Sequence, residues 1–305
     1  MRIKTEFPEK TKFKISFSEY STYLNCQHKW YLQYVLKLKS DLSEDLIFGS
    51  AIHATIEKIF TNETVKKLYS KDLYYTSQRI FKEFLNEEIE KYKKDGFEEE
   101  LKKLFSSEEK IKFLVYQGTN LLVKLDLVKT FKDYELVEVE HKLEDIVIYS
   151  TEEYDLTYKG FIDIILRNKL TNQYLILDWK TSRKSWDIRQ KLQYNPDHFA
   201  QLALYKYFYS KEKELSFKEI DTKFFNLPRE EPNKLKQFKG ELDEEYILDF
   251  IDRFILIGKE VVGKRILSEN FEKAKLTKKK NMCFFCQFNN DKYCNQTDFY
   301  QKILV

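Results

Sequence analysis

The sequence holds 305 residues, 42% of them hydrophobic and 34% charged, with a formal net charge of +3. That length suffices for one large domain or two small ones, and 25 Phe and 21 Tyr can build a sizeable core. Near-neutrality excludes a strongly polybasic protein but leaves room for a local basic groove, while apolar periodicity along most of the chain argues against disorder. The opening "MRIKTEFPEK" lacks the apolar run of a signal peptide, and the longest apolar stretches are too short and too charge-interrupted to span a membrane. The expectation is a soluble protein of the cytoplasm, or of the host cytoplasm if viral, with no membrane partner. In such a reducing compartment four cysteines favour free thiols or metal ligands over disulfides.

In chain order, residues 16–39 predict a helix starting at Ser16 or Ser18, with a stripe of Tyr20, Tyr23, Leu24, Tyr31, Tyr34 and Val35. "FGSAIHATIEKIF" (48–60) begins a second helix. Residues 74–95 and 97–130 read as mainly helical, with Gly96 and Gly118 as breaks or close contacts. The period then shortens to two. "YELVEVEHKLED" (134–145), "TYKGFIDIILRN" (157–168) and "YLILDWKT" (174–181) predict strands, with "LTNQ" as a turn before the last. Helical spacing returns over 197–214, a strand over 219–228 stops at Pro228, and 243–276 is again helical. Three regions follow from this: 1–130 mainly helical and carrying Cys26 and His53; 131–240 a core sheet with a helix; 241–305 a helix and a cysteine cluster closing onto the N-terminal region. The fold class is α/β in a mixed α+β sense, with a central mixed sheet flanked by helices.

Alternation along "YLILDWKTS" puts Asp178 and Lys180 on one face, with Leu177 and Trp179 on the other. Pairing with the preceding strand would bring Asp178 near Asp163 of "GFID". Two converging carboxylates suit a hard divalent cation, and a neighbouring lysine can hold a water or offset phosphate charge. Taken alone, Asp178 and Lys180 are equally a salt bridge at a strand end. His53 and Glu57 share a helix face; His53 can complete a cation site, whereas Glu57 reads as supporting or solvent-facing. Gln201 and Tyr205 in "QLALY" are four apart and could face the strand or a phosphate backbone; taken alone, the spacing reads as an ordinary amphipathic helix. Gly160 interrupts a strand, and close approach of another chain or a ligand would explain it.

The ordered set His53, "GFID", "LDWKT" and "QLALY" resembles the PD-(D/E)XK nuclease superfamily. Its closest likeness is to the RecB-like branch, which includes AddB C-terminal nuclease domains and CRISPR-adaptation exonucleases. The resemblance runs over roughly positions 16–300, although 61–130 carries no matching motif. It implies a restriction-endonuclease-like core. It also implies that His53, Asp163, Asp178 and the backbone carbonyl of Trp179 ligate Mg2+ or Mn2+. Lys180 would orient the attacking water or stabilise the transition state. Gln201 and Tyr205, matching a Q-x-x-x-Y motif, would position substrate or the lysine; Thr181 follows as in the D-x-K-T version and is assigned no catalysis.

Cys283, Cys286 and Cys294 cluster in "CFFCQFNNDKYC", and Cys26 lies in "YLNCQHKWYL". C-x2-C spacing is compatible with zinc or an iron–sulfur cluster, and Cys26 would supply a fourth thiolate linking the chain's ends. The same resemblance implies a [4Fe-4S] cluster on these four cysteines, with Zn2+ as the alternative. Two departures from the family pattern are Gln27 in place of the usual proline and seven residues between Cys286 and Cys294 instead of five.

Phosphates and bases could be tracked by "KWYLQYVLKLK", "KLTKKK" and above all 182–196, where Arg183, Lys184, Arg189 and Lys191 accompany Trp186. The expected activity is phosphodiester hydrolysis in DNA, most readily as an exonuclease on single strands or free ends. The alternatives are a structure-dependent or nicking endonuclease and a non-catalytic DNA-end-binding scaffold. No Walker motif is present, so unwinding would need a helicase or recombination partner.

Overall fold

A computed structural model of the chain describes residues 10–38, 41–194, 197–240 and 242–266, together with 283, 286–288 and 294. Strand β1 (Thr11–Ser16) leads into α1 (Phe17–Asn25), α2 (Gln27–Trp30) and a π-helical turn at Tyr31–Val35. Six helices follow: α3 (Glu44–Thr61), α4 (Glu63–Lys71), α5 (Leu73–Lys94), α6 (Glu98–Leu104), α7 (Glu108–Leu125) and α8 (Leu127–Thr130). Next come β2 (Tyr134–Ser150), β3 (Tyr154–Asn168) and β4 (Tyr174–Ser182), then α9 (Ile188–Tyr194) and α10 (Ala200–Glu212). Strands β5 (Ile220–Pro228) and β6 (Lys236–Lys239) precede α11 (Glu244–Ile266).

Local chemistry explains where these elements stop. Ser43, Asn62, Asp72, Ser107 and Asp126 each accept a backbone N–H as the N-cap of the next helix, so the helical region is cut into short pieces. The helix expected over 97–130 is accordingly three helices, the last entered through Asp126 at φ 38°. Gly96, at φ 89°, turns the chain out of α5 as a side chain could not without strain. Gly118 instead lies inside α7 against Phe81, whose ring would stand 2.2 Å from an added Cβ. The helix expected over 16–39 is broken at Cys26, whose extended backbone caps α1 on one side and α2 on the other. Strand β1, helices α4 and α9, and strand β6 were not anticipated. The lysine run 275–280 and the end of the helix expected over 243–276 lie outside the described residues.

The chain divides into two compact units. One comprises Met1–Asp41, Leu143–Gly160 and Leu248–Val305, the other Leu42–Lys142 and Phe161–Ile247. In the first, β1 runs parallel to the start of β3, from Thr11 opposite Tyr154 to Ser16 opposite Lys159. Its core joins Tyr20 of α1 to Phe250 and Phe254 of α11, and Tyr23 to Trp30. A buried Glu19 accepts from the Trp30 indole N–H at 2.8 Å and is ion-paired with Arg265. Gly160 is explained here: an added Cβ would stand 2.3 Å from the Tyr158 hydroxyl. The close approach is therefore by a side chain two residues back on the same strand, not by another chain or a ligand.

In the second unit, the end of β3 is antiparallel to β4, β4 is parallel to β5, and β5 is antiparallel to β6. The described strands form a six-stranded mixed sheet in the order β1-β3-β4-β5-β6, with β2 also paired to β3. Both α3 and the sheet contribute to one apolar core, including Phe48, Ile52, Ile56, Phe81, Leu122, Ile164, Leu177, Trp179 and Phe225. No helix among the described residues is long and apolar enough to cross a membrane.

Candidate active site

The β3/β4 register pairs Ile164 with Leu177, and one step further brings Asp163 opposite Asp178. Asp178 is buried at 2% exposure, and the Lys180 ammonium stands 2.6 Å from its Oδ2. The same ammonium donates to Gln201 Oε1 at 3.0 Å, and Gln201 Nε2 donates to the Tyr205 hydroxyl at 2.7 Å. Helix α10 therefore brings Gln201 to the lysine, with Tyr205 one turn on bonded to Gln201. On the opposite face of β4, Trp179 packs its indole against Phe131 and Phe225, at centroid distances of 5.9 and 5.2 Å. The backbone N–H of Trp179 donates to Asp163 Oδ2 at 2.7 Å, fixing one oxygen of that carboxylate.

Helix α3 brings His53 to the strands, with Nδ1 3.6 Å from Asp163 Oδ2. Gly49, one turn earlier, makes that approach possible: an added Cβ would stand 2.9 Å from Thr181 Oγ1. Arg229, just past the end of β5, bridges to Glu44 and Asp45 at the start of α3, each at 2.7 Å. Asn226 is fully buried and donates to the Lys180 carbonyl and to Ser182 Oγ, while its own carbonyl accepts from the Trp186 N–H. These polar contacts fix the end of β4 on which the lysine sits.

Sequence reasoning missed Glu140. One ligand atom each from His53, Glu140 and Asp163 lies within 4.8 Å of the others, a nitrogen and two oxygens converging as a divalent cation requires. Glu140 has φ 46°, a left-handed conformation inside a strand, of the kind that clusters where backbone strain serves a site. Simple alternation through "VEVE" treats Glu138 and Glu140 alike; the positive φ departs from it, and no residue pattern announced that. Glu57 lines the same hollow as His53, Glu140 and Asp163.

The electrostatics match a site short of positive charge. Burial pushes Asp178 up to about 6, against the pull of Lys180 and with a further push from Asp163. Burial likewise raises Glu140, aided by the negative charge of Asp163. Burial by itself would lower His53, yet the adjacent Asp163 carboxylate, with Asp178 behind it, holds the imidazole above its ordinary value. A cation here would relieve the carboxylate crowding directly.

The other sequence-derived candidates lie in different settings. Arg183 is exposed and 3.5 Å from Asp45; Lys184 and Arg189 are exposed. Trp186 is half-buried and committed to rings of its own chain: His198 at 5.0 Å, Phe224 at 6.0 Å and Phe238 at 6.0 Å. The Lys191 ammonium lies 4.5 Å over the same indole. Part of the expected loop 182–196 is the helix α9. All four cysteines fall in the first compact unit. The Cys26 sulfur accepts from the Lys29 N–H at 3.4 Å, Cys283 is buried, and the Cys286 N–H donates to the Cys283 carbonyl at 3.0 Å.

A mixed sheet flanked by helices, with acid and lysine on one strand face, defines the restriction-endonuclease-like class. The family model of the PD-(D/E)XK nuclease superfamily matches residues 14–294, and the chain belongs to that superfamily. No curated protein matches the sequence.

Proposed function

We propose that the chain is a divalent-metal-dependent deoxyribonuclease of the RecB-like branch, acting as an exonuclease on single strands or free DNA ends. The observation that carries this reading is the convergence of His53, Asp163, Asp178, Lys180 and Gln201. His53, Asp163, Asp178 and the Trp179 carbonyl would hold Mg2+ or Mn2+, with Glu140 as an added oxygen donor. The bound cation would supply Lewis acidity and a more acidic water. Lys180, tethered by Gln201 and through it by Tyr205, orients the attacking water and faces the charge that builds on the phosphoryl oxygens. The attacking water gives up a proton to solvent as its oxygen bonds to phosphorus, the P–O bond to the departing sugar oxygen breaks, and that oxygen takes up a proton from solvent. Arg183, Lys184, Arg189 and Lys191 lie along the chain just past Lys180, where they would contact the phosphate backbone beside Trp186.

Cys26, Cys283, Cys286 and Cys294 are the residues for a [4Fe-4S] cluster, with Zn2+ as the other occupant. Visible charge-transfer absorption of purified protein separates the two. The activity is tested on 5′- and 3′-labelled linear strands beside a closed circular strand, with Mg2+ or Mn2+. Labelled linear DNA should be shortened from an end while the circle survives. Cutting of the circle overturns exonuclease action in favour of an endonuclease. Inactivity on all forms with either metal overturns catalysis and leaves an end-binding scaffold. We place its action in the cytoplasm, with unwinding supplied by a helicase or recombination partner.

A further inference from the structure

The strip between α3 and β2 does not end at the candidate metal site. His53, Ile56, Glu57 and Phe60 occupy one stripe of α3 at helical spacing. The first three line the hollow beside Asp163, and Phe60 lines a second cavity of about 220 Å³. Strand β2 behaves in parallel: Val139 and Glu140 line the first hollow, Tyr134 and Leu136 the second. A chain of rings connects them, from Trp179 to Phe131 at 5.9 Å, and from Phe131 to Phe60 at 5.9 Å and to Tyr134 at 6.2 Å.

The second cavity has an aromatic floor and a basic wall of Lys66, Lys132 and Lys169. The Lys169 ammonium is held by the Lys132 carbonyl at 2.7 Å, and neither Lys132 nor Lys169 is ion-paired among the described residues. Its volume is below the range of about 300–1,000 Å³ usual for drug-sized ligands and suits a single ring system. Aromatic faces beside ammonium groups are how sequence-tolerant proteins hold single-stranded nucleic acid.

We propose that this cavity is a nucleotide subsite: a base of the substrate strand enters between Phe60 and Tyr134 while Lys132 and Lys169 take its flanking phosphates. The proposal rests on the nuclease reading above. Seven residues of α3 separate His53 from Phe60, about 10 Å at a helical rise of about 1.5 Å. At a stacked spacing of about 3.4 Å per nucleotide, the subsite lies roughly three nucleotides from the phosphate at the metal site, and fewer on an extended strand. Short products would lose this contact, so the site would favour strands over mono- and dinucleotides.

The test uses the full chain, with Ca2+ replacing Mg2+ to hold back turnover during binding. Lys132→Gln/Lys169→Gln and Tyr134→Leu proteins are compared with wild type on fluorescent single strands of two and twelve nucleotides. For the double lysine variant, affinity for the twelve-mer should fall roughly tenfold and its salt slope by about 1.4, two phosphates at about 0.7 each. Tyr134→Leu should weaken the twelve-mer with the slope unchanged. Neither variant should alter Mn2+ affinity or dinucleotide binding. Wild-type affinity and slope in both variants, with wild-type protein cutting single strands, overturns the subsite alone and leaves the cavity to another occupant. Equal losses on both lengths also overturn it, as a general weakening. Wild-type protein that neither binds nor cuts single strands overturns the nuclease reading and the subsite together.

Discussion

At the scale of single residues, Lys180 is the most exposed to test, because its ammonium touches both Asp178 and Gln201. Lys180→Met should lower the cleavage rate by about 10²–10³-fold, the usual loss for a charge-stabilising donor, and leave DNA affinity nearly unchanged. Single-turnover rates with bound labelled DNA check this. Glu140→Gln should weaken Mn2+ binding about tenfold, read by titration calorimetry without DNA, while saturating Mn2+ restores most of the cleavage. Period alone showed that Asp178 and Lys180 share a strand face and that Gln201 and Tyr205 share a helix face, but it left each pair open to an ordinary structural reading; only the ordered set pointed to a site. Glu140 was not legible, since its φ of 46° interrupts the alternation a reader would use.

Elements matter here through how closely they approach. Helix α3 reaches the strand end because Gly49 leaves room for Thr181, and Arg229 holds the helix start to the end of β5. Gly49→Val should lift α3 away from β4, costing about 1–3 kcal/mol of stability in urea unfolding. The same change should weaken Mn2+ binding by displacing His53, while Gly263→Ala, at a half-buried helical position with nothing within 4 Å, should leave Mn2+ binding unchanged and raise stability by about 0.5–1 kcal/mol. That α3 exists was readable from the apolar spacing of "FGSAIHATIEKIF". That its glycine was a contact with Thr181 was not, because the partner lies far along the chain. Gly160 teaches the reverse: its close neighbour is Tyr158, two residues away, where approach of another chain or a ligand had been offered as the reason.

For the whole molecule, pH acts through groups whose surroundings favour one charge state. His198, among Trp186, Phe199 and Phe224, is lowered from 6.5 to about 4 by burial and by the positive charges of Lys191 and Lys180. The unfolded chain therefore binds a proton between about pH 6.5 and 4 that the native state refuses, and stability falls as pH drops through that window. Asp178, raised to about 6, acts with the opposite sign in the same window, so the reading is the difference between two proteins: His198→Phe should keep more of its pH 7 urea midpoint at pH 4 than wild type does. By itself the sequence determined the alternation of helical and strand segments, the superfamily and the acid–lysine strand, because period, turn residues and ordered motifs are properties of neighbours along the chain. Tertiary structure alone decided that Glu140 joins His53 and Asp163, that Trp186 is taken up by its own chain's rings, and that a lysine-walled cavity continues the α3–β2 strip. Those outcomes depend on the packing distance between segments remote in sequence, which no local period encodes.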